Sequence, residues 1–462
     1  MRALLATCLL ALLPASIPAQ GPWEITGPIR NDPERVEWFR GLGLGLFIHW
    51  SVDSQLGSVI SHSLVGASRD YAERYFEELP RSFHPTRFDA DEWARLARVA
   101  GFRYAVLTAK HHSGFCLFDT DTSDFDIAST PYAKDVVAEF VRAFRAQGLA
   151  VGFYFSPDDF HVLHRQGTLI SRIRPEALPQ NNPELMDVDL RQVRELLTRY
   201  GPIDLLFIDA SPSAPGSEPK RIRELAWELQ PQIVVTRGAM KTPEIAPSTD
   251  HVLPGRIDPD PWEACVTLGT QWQYKPTNET YMTGGELIGR FVEIRAKGGN
   301  LLLNVGPHPD GHIPAEQQAP LRELGLWNFV NREAVFDVEP WVVAREGDVW
   351  FTRQRGGDAV YAVLTNQPGW KLGTWRSFTL RSVRLDPDGA VEVLGQNDRV
   401  LEYQQVVPKT TWSQDERGLH VRAMRAQRLY NDRTWPNPVV LKLSGARPAL
   451  SSEPGASPEP SR

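Results

Sequence analysis

The 462-residue chain is long enough for one large domain and a smaller second one, and its 42% hydrophobic and 23% charged content excludes wholesale disorder. The formal charge of -7 is spread along the chain with no basic run, which argues against a nucleic-acid partner. Its 14 Trp residues are unusual; aromatic faces stack on sugar rings, but they also fill cores.

The chain starts Met1-Arg2, continues with an apolar run from Ala3 to Leu13, and leaves through small residues to Ala19-Gln20. This is the form of an export signal over residues 1–20, cleaved after Ala19. The run is too short for a membrane span, and no later stretch reaches about 18 uninterrupted apolar residues. The expected location is periplasmic or extracellular, or lysosomal in a eukaryotic host. Cys8 leaves with the signal. Cys116 and Cys265 are too few and too far apart for a disulfide framework and are expected to be free, buried thiols.

Between about residues 36 and 335, short apolar runs alternate with amphipathic helical patterns. The strand candidates are Leu44–Trp50, Arg103–Ala109, Ala150–Ser156, Ile203–Asp209, Gln232–Arg237 and Leu301–Val305. Near-continuous apolar runs suit strands covered on both faces, as in a parallel sheet. Asp89 or Asp91 opens a helix whose apolar face is Trp93, Leu96, Ala97 and Ala100, and Gly101 stops it. Further helices carry Val137, Phe140, Val141 and Phe144 before Gly148, then Leu190, Val193 and Leu197 before Gly201, and a last one runs from about Pro219 to Leu229. This alternation predicts an α/β fold, a (β/α) TIM-like barrel over residues 21–338, although six strands are legible where closure needs eight. After that, short β-type runs separated by Gly, Pro, Asn and Asp predict a C-terminal antiparallel β-sandwich over residues 339–445. A Pro-, Ser- and Glu-rich tail over residues 446–462 is expected to be disordered.

Five of the strand candidates end in a chemically capable residue. They lead to His49-Trp50, to Lys110-His111-His112, to Tyr154 with Ser156 and Asp158-Asp159, to Asp209 and to Arg237. Barrel active sites occupy the carboxyl ends of the strands, so these groups would converge on one mouth. An aspartate flanked there by histidine and arginine cations would stay ionised and could attack an anomeric carbon; equally, a strand-end aspartate can cap the next turn. Adjacent histidines in a strand point to opposite faces and rarely chelate one ion together. Hydrogen bonds from His111 and His112 to sugar hydroxyls are therefore preferred to a metal site built from His49, His111, Asp209 and His161.

Several longer words occur in one order: Phe47-Ile-His-Trp50, Lys110-His-His-Ser-Gly-Phe115, Gly152-Phe-Tyr-Phe-Ser156, Lys241-Thr-Pro-Glu244, Trp262-Glu263 with Gln271-Trp-Gln-Tyr274, and Gly299-Asn-Leu-Leu-Leu-Asn-Val-Gly-Pro307. From about residue 36 to 335 the chain resembles the α-L-fucosidases of glycoside hydrolase family 29. The resemblance implies a catalytic barrel, a C-terminal sandwich, no metal or other cofactor, and hydrolysis of terminal α-L-fucose from glycans with retention. It also implies Asp209 as nucleophile and Glu244 as acid/base, with Glu263 the runner-up. His49, His111 and His112 match ligands of the fucose hydroxyls, Tyr154 and Arg237 match pocket residues, and Trp50 and Trp272 complete the expected substrate contacts.

The expected partner is a fucosylated oligosaccharide or glycoconjugate, with neither nucleic acid nor membrane involved and the oligomeric state open. Ser113, Phe207 and Ala210 depart from the family's common pattern. Its Glu-Trp pocket pair is absent, the matching region reading Ser68-Arg-Asp-Tyr-Ala-Glu-Arg-Tyr-Phe76. These departures leave two alternatives standing, a barrel that binds fucosylated glycans without cleaving them and a glycosidase for another sugar.

Overall fold

Parallel strands and helices make up the chain from Pro33 to Asn331 in a computed structural model that describes residues 30–210, 219–245, 253–430 and 437–449. The export segment and residues 450–462 of the tail lie outside the described residues. The strands of the first domain are β1 (Leu44–Ile48), β2 (Tyr104–Lys110), β3 (Ala150–Phe155), β4 (Leu205–Ile208), β5 (Val234–Val235), β6 (Glu244–Ile245), β7 (Glu263–Thr267) and β8 (Asn300–Val305). Helices α1 (Pro33–Leu42), α2 (Arg69–Ser82), α3 (Ala90–Ala100), α4 (Val136–Ala146), α5 (Phe160–Arg165), α6 (Pro183–Arg199), α7 (Lys220–Leu229), α8 (Gly284–Ala296) and α9 (Ala315–Asn331) intervene. Helix α3 shows why the reading from residues worked. The Asp89 carboxylate accepts the Glu92 N–H at 2.9 Å, the predicted face is buried, and Gly101 ends the helix at φ 93°.

The eight parallel strands form one sheet in the order β5-β4-β3-β2-β1-β8-β7-β6. It is curled into a barrel: Tyr104 of β2 reaches across the interior to donate a hydrogen bond to Glu263 of β7. Among the described residues β5 and β6 are not hydrogen-bonded to each other, so the ring has a seam there. Both are two residues long, and Pro243 beside β6 has no N–H to give. Strands β6 and β7 are the two the sequence concealed: one is minimal, and the other begins with a glutamate.

Strand parity decides what faces inward. Phe47, Tyr104, Val106, Tyr154, Leu205, Phe207, Cys265 and Leu302 pack together inside the barrel, and each large side chain so buried contributes roughly 1.5–3 kcal/mol. Gly45 shares the inward row of β1 with Phe47, and a Cβ there would lie 2.2 Å from the Tyr104 ring. Gly45 thus serves the packing of the interior. Cys116 and Cys265 are both buried and free.

Strands β9 (Val338–Glu346), β10 (Val349–Gln354), β11 (Val360–Leu364), β12 (Trp375–Leu380), β13 (Val383–Val393), β14 (Thr411–Asp415), β15 (Gly418–Met424) and β16 (Val439–Pro448) form the second domain. They make a five-stranded antiparallel sheet, β13-β16-β11-β10-β9, and a three-stranded one, β12-β15-β14. Phe351, Leu385, Leu419, Val421 and Leu441 are buried in the core of this domain. Strand β16 runs to Pro448, past residue 445 where composition placed the domain's end. Strands β9 and β10 contact α8, and Trp327 of α9 donates its indole N–H to the Pro438 carbonyl at 2.8 Å.

Candidate active site

A cup of about 170 Å³ opens at the carboxyl ends of the barrel strands. That is small beside the roughly 300–1,000 Å³ of clefts for larger ligands and suits one sugar ring. The described lining comes entirely from the barrel domain: His49, His111, His112, Tyr154, Asp209, Arg237, Glu244 and Trp272 from the expected set, joined by Phe47, Ile60, His62, Arg172 and Phe207.

Asp209 follows β4 on the inward parity of Leu205 and Phe207. Tyr154 donates to its Oδ2 at 2.6 Å, the His112 Nε2 lies 3.6 Å from the same oxygen, and Arg237 and Arg172 stand 3.0 and 3.7 Å from Oδ1. Burial by itself would raise the pKa of this carboxyl, but the two guanidiniums and the Tyr154 hydroxyl outweigh it and hold Asp209 below the usual aspartate range. The carboxylate so surrounded lines the cup.

The second carboxylate is held by the same cation. Arg237 binds Asp209 through Nη2 and Glu244 through Nη1, across the seam between β5 and β6. One guanidinium shared in this way limits how far apart the two carboxyl groups can stand.

The imidazoles are neutral, which corrects the expectation of histidine cations beside Asp209. Burial drives His49 down to about 3, against opposing contributions from Asn304 and Asp209. His111 and His112 are pushed well below the usual histidine value, first by burial and then by neighbouring positive groups. Each ring is anchored by Nδ1: His49 to Asn304 Oδ1 at 2.6 Å, His111 to Ser61 Oγ at 2.8 Å and His112 to Ser156 Oγ at 2.5 Å. The Asn304 amide donates to the Trp272 carbonyl at 2.5 Å, so its oxygen faces His49 and accepts the Nδ1 proton. That leaves His49 Nε2 as an acceptor.

Two expected residues are elsewhere. Trp50 is one step out of parity with His49; its fully buried ring packs on Phe83, Phe88 and Trp93 in the helical shell. Glu263 is fully buried at the start of β7, beside Asn300 at the start of β8, so it lies at the floor of the barrel and not at its mouth. It accepts from the Tyr104 hydroxyl at 2.5 Å, and burial pushes its pKa up to about 7 against that bond.

Arg172 and His62 had no periodic signal: Arg172 lies in the connection between α5 and α6, and His62 opens a three-residue 3-10 turn. Asp158 Oδ2 accepts the Arg172 Nε at 2.6 Å, which gives the Asp158-Asp159 pair its purpose: Asp158 aims Arg172, while Asp159 caps α5 and faces Lys110. Segment 68–76 forms α2 outside the cup, and Ile60 and His62 contribute to the wall instead.

His111, His112 and Asp209 place ligand-type atoms within 4.8 Å of one another. The two arginines within 4 Å of Asp209 Oδ1 already engage that carboxylate and oppose a dication there. His161 packs between Phe76 and Phe125, not in the cup.

Known proteins resemble the chain over most of its length. The model of the family Alpha-L-fucosidase matches residues 17–333. Plasma α-L-fucosidase of Rattus norvegicus is 30% identical over 363 residues, covering 72% of this chain and 77% of that protein. An α-L-fucosidase of Dictyostelium discoideum is 26% identical over 367 residues, with 72% and 78% covered. The solved structure of α-L-fucosidase isoenzyme 1 from Paenibacillus thiaminolyticus superposes with a TM-score of 0.72 at 26% identity, over 90% of this chain and 99% of that one. A Bacteroides thetaiotaomicron α-L-fucosidase solved as a trapped covalent intermediate shares the fold, with a TM-score of 0.70 at 23% identity over 92% and 98% of the chains. The chain belongs to the α-L-fucosidase family of glycoside hydrolases.

Proposed function

We propose that this enzyme is a retaining exo-α-L-fucosidase in which Asp209 is the nucleophile and Glu244 the acid/base. The observation that carries the assignment is the Arg237 guanidinium shared by these two carboxylates at the mouth of the cup. Retaining glycosidases hold their carboxyl groups about 5–5.5 Å apart, too close for a water to attack from between them.

In the first half-reaction Asp209 forms a bond to the anomeric carbon as the bond to the aglycone oxygen breaks, and Glu244 gives its proton to that oxygen. Ion-paired with Arg237 before substrate arrives, Glu244 takes up a proton from solvent as the arriving oxygen takes the place of Arg237 as its partner, and this is the proton it transfers. In the second half-reaction Glu244 removes a proton from water, which displaces Asp209 and releases fucose with its original configuration. Tyr154, whose phenol is held well above its usual pKa by burial and by Asp209, stays neutral and orients the nucleophile. The neutral imidazoles of His49, His111 and His112 meet sugar hydroxyls without placing a second set of cations beside Arg237 and Arg172. Preorganised groups of this kind need no reorganisation when charge develops.

The substrate class is a fucosylated oligosaccharide or glycoconjugate. The basic start and apolar run of residues 1–13 support export to the periplasm or the cell exterior. A panel of aryl glycosides tests the reading: the α-L-fucoside should be cleaved with retention and without added metal, and far faster than the β-D-galactoside. Equal rates on both sugars, or inversion, would overturn it.

A further inference from the structure

The Gly-Pro word after β8 continues as His308-Pro309-Asp310-Gly311-His312, a run the reaction does not use. A tight turn folds it back on itself: the Gly311 N–H donates to the His308 carbonyl at 2.8 Å and the His308 N–H to the His312 carbonyl at 2.9 Å. Gly311 has φ 100°, and a Cβ there would lie 2.5 Å from the Phe88 side chain, so the turn is held to one shape. The Arg87 N–H adds a bond to the Asp310 carbonyl at 2.8 Å.

The turn brings two imidazoles face to face, with ring centres 4.8 Å apart and planes 35° apart. Both Nδ1 atoms converge on one oxygen, Asp310 Oδ1, at 3.0 Å from His308 and 2.5 Å from His312. All three donor atoms lie within 4.8 Å of one another, and the side chains are 24–34% exposed, so the cluster is open to solvent on one side. A tetrahedral Zn2+ with donors at about 2.0–2.2 Å requires them to stand roughly 3.3 Å apart, a small adjustment from the spacing found.

We propose that His308, Asp310 and His312 form a binding site for a divalent transition ion, zinc by preference, with water completing the coordination. Two imidazoles and one carboxylate are a donor set suited to Zn2+ and unsuited to Mg2+ or Ca2+, which take oxygen donors. The ion takes the place of the proton between His312 Nδ1 and Asp310 Oδ1, and His308 turns its Nδ1 lone pair from the Asp310 N–H to the ion. Arg87 reaches the other oxygen, Oδ2, at 3.5 Å and leaves Oδ1 to the ion. The Asp310 backbone N–H, 3.3 Å from His308 Nδ1, is the contact given up. The His308 ring also packs on Tyr274, two residues from the pocket residue Trp272, so the site stands on the rim and outside the cup.

The test uses chelator-stripped full-length enzyme, dialysed against submillimolar Zn2+ or Co2+, as wild type, as His308→Ala/His312→Ala and as Asp310→Asn. Wild type should retain stoichiometric zinc, give the visible bands of tetrahedral Co2+ and melt at a higher temperature with zinc than without. The double variant should lose all three responses while keeping the metal-free melting temperature of wild type, and Asp310→Asn should bind more weakly. Equal zinc retention by the double variant would overturn the proposal. Absence of binding by wild type would overturn it too. None of these readouts depends on fucoside hydrolysis.

Discussion

Asp209 and Glu263 are both carboxylates buried in the same barrel, at opposite ends of its strands, and they are tuned in opposite directions. Burial pushes both pKa values up. At the mouth, Arg237 and Arg172 reverse the shift and Asp209 ends below its usual range. At the floor Glu263 has only the Tyr104 hydroxyl; its Oε2 makes no hydrogen bond among the described residues, and its pKa rises to about 7. The barrel interior therefore does not determine a carboxylate's charge. The cations placed beside it do, and both arginines enter from beyond the strand ends.

The contrast is broken most directly at the mouth. Replacing Asp209 with Gly should lower turnover of an aryl α-L-fucoside by roughly four orders of magnitude or more, and azide should restore part of it with inversion at the sugar. Near-normal turnover would remove the nucleophile. Next, Glu244→Ala should lose roughly 10²–10⁴-fold on a natural fucosylated glycan and less on an activated aryl fucoside, which needs little protonation. Glu263→Gln should stay close to wild type on both. If the two variants exchanged behaviour, the acid/base would belong at the floor.

Smaller effects sharpen the electrostatics. Arg172→Met removes one of the cations that lower the Asp209 pKa, so the acidic limb of kcat/KM should move up by about one pH unit, with Arg172→Lys in between. An unmoved limb would leave Arg172 a purely structural role. At the floor burial raises the folded pKa of Glu263 to about 7, above the usual glutamate value of 4.5. The folded state therefore holds the proton more tightly, and this group makes the protein less stable as pH rises between those values. Glu263→Gln keeps an acceptor for Tyr104 and removes the charge. Relative to wild type it should gain roughly 2–3 kcal/mol between about pH 5 and pH 8, read from denaturant unfolding. The buried histidines act in the opposite sense. His49, depressed to about 3 from 6.5, withdraws stability as pH falls below its unfolded value, in wild type and variant alike.

Much of this was legible in the residues because repeated local rules pointed one way. Apolar runs located β1 to β5 and β8, and polar residues at their ends located most of the cup. The minimal β6, the glutamate-led β7 and the polar β14 (Thr-Trp-Ser-Gln-Asp) were hidden, since short or half-exposed strands carry little pattern. Trp50 was misplaced for a different reason: adjacency in a strand means opposite faces, so the neighbour of a pocket histidine belongs to the shell. Arg172 comes from an irregular segment and His62 from a single 3-10 turn, too short for a periodicity to be read.

The sequence by itself determined the barrel's alternation, the inward row ending in Asp209, and the family, because strand parity and ordered motifs are local properties. Only the tertiary structure decided which carboxylates are charged, which imidazoles are neutral, and that Glu244 rather than Glu263 shares Arg237 with Asp209. Charge state depends on burial and on neighbours brought together across the barrel, and spacing along a chain encodes neither.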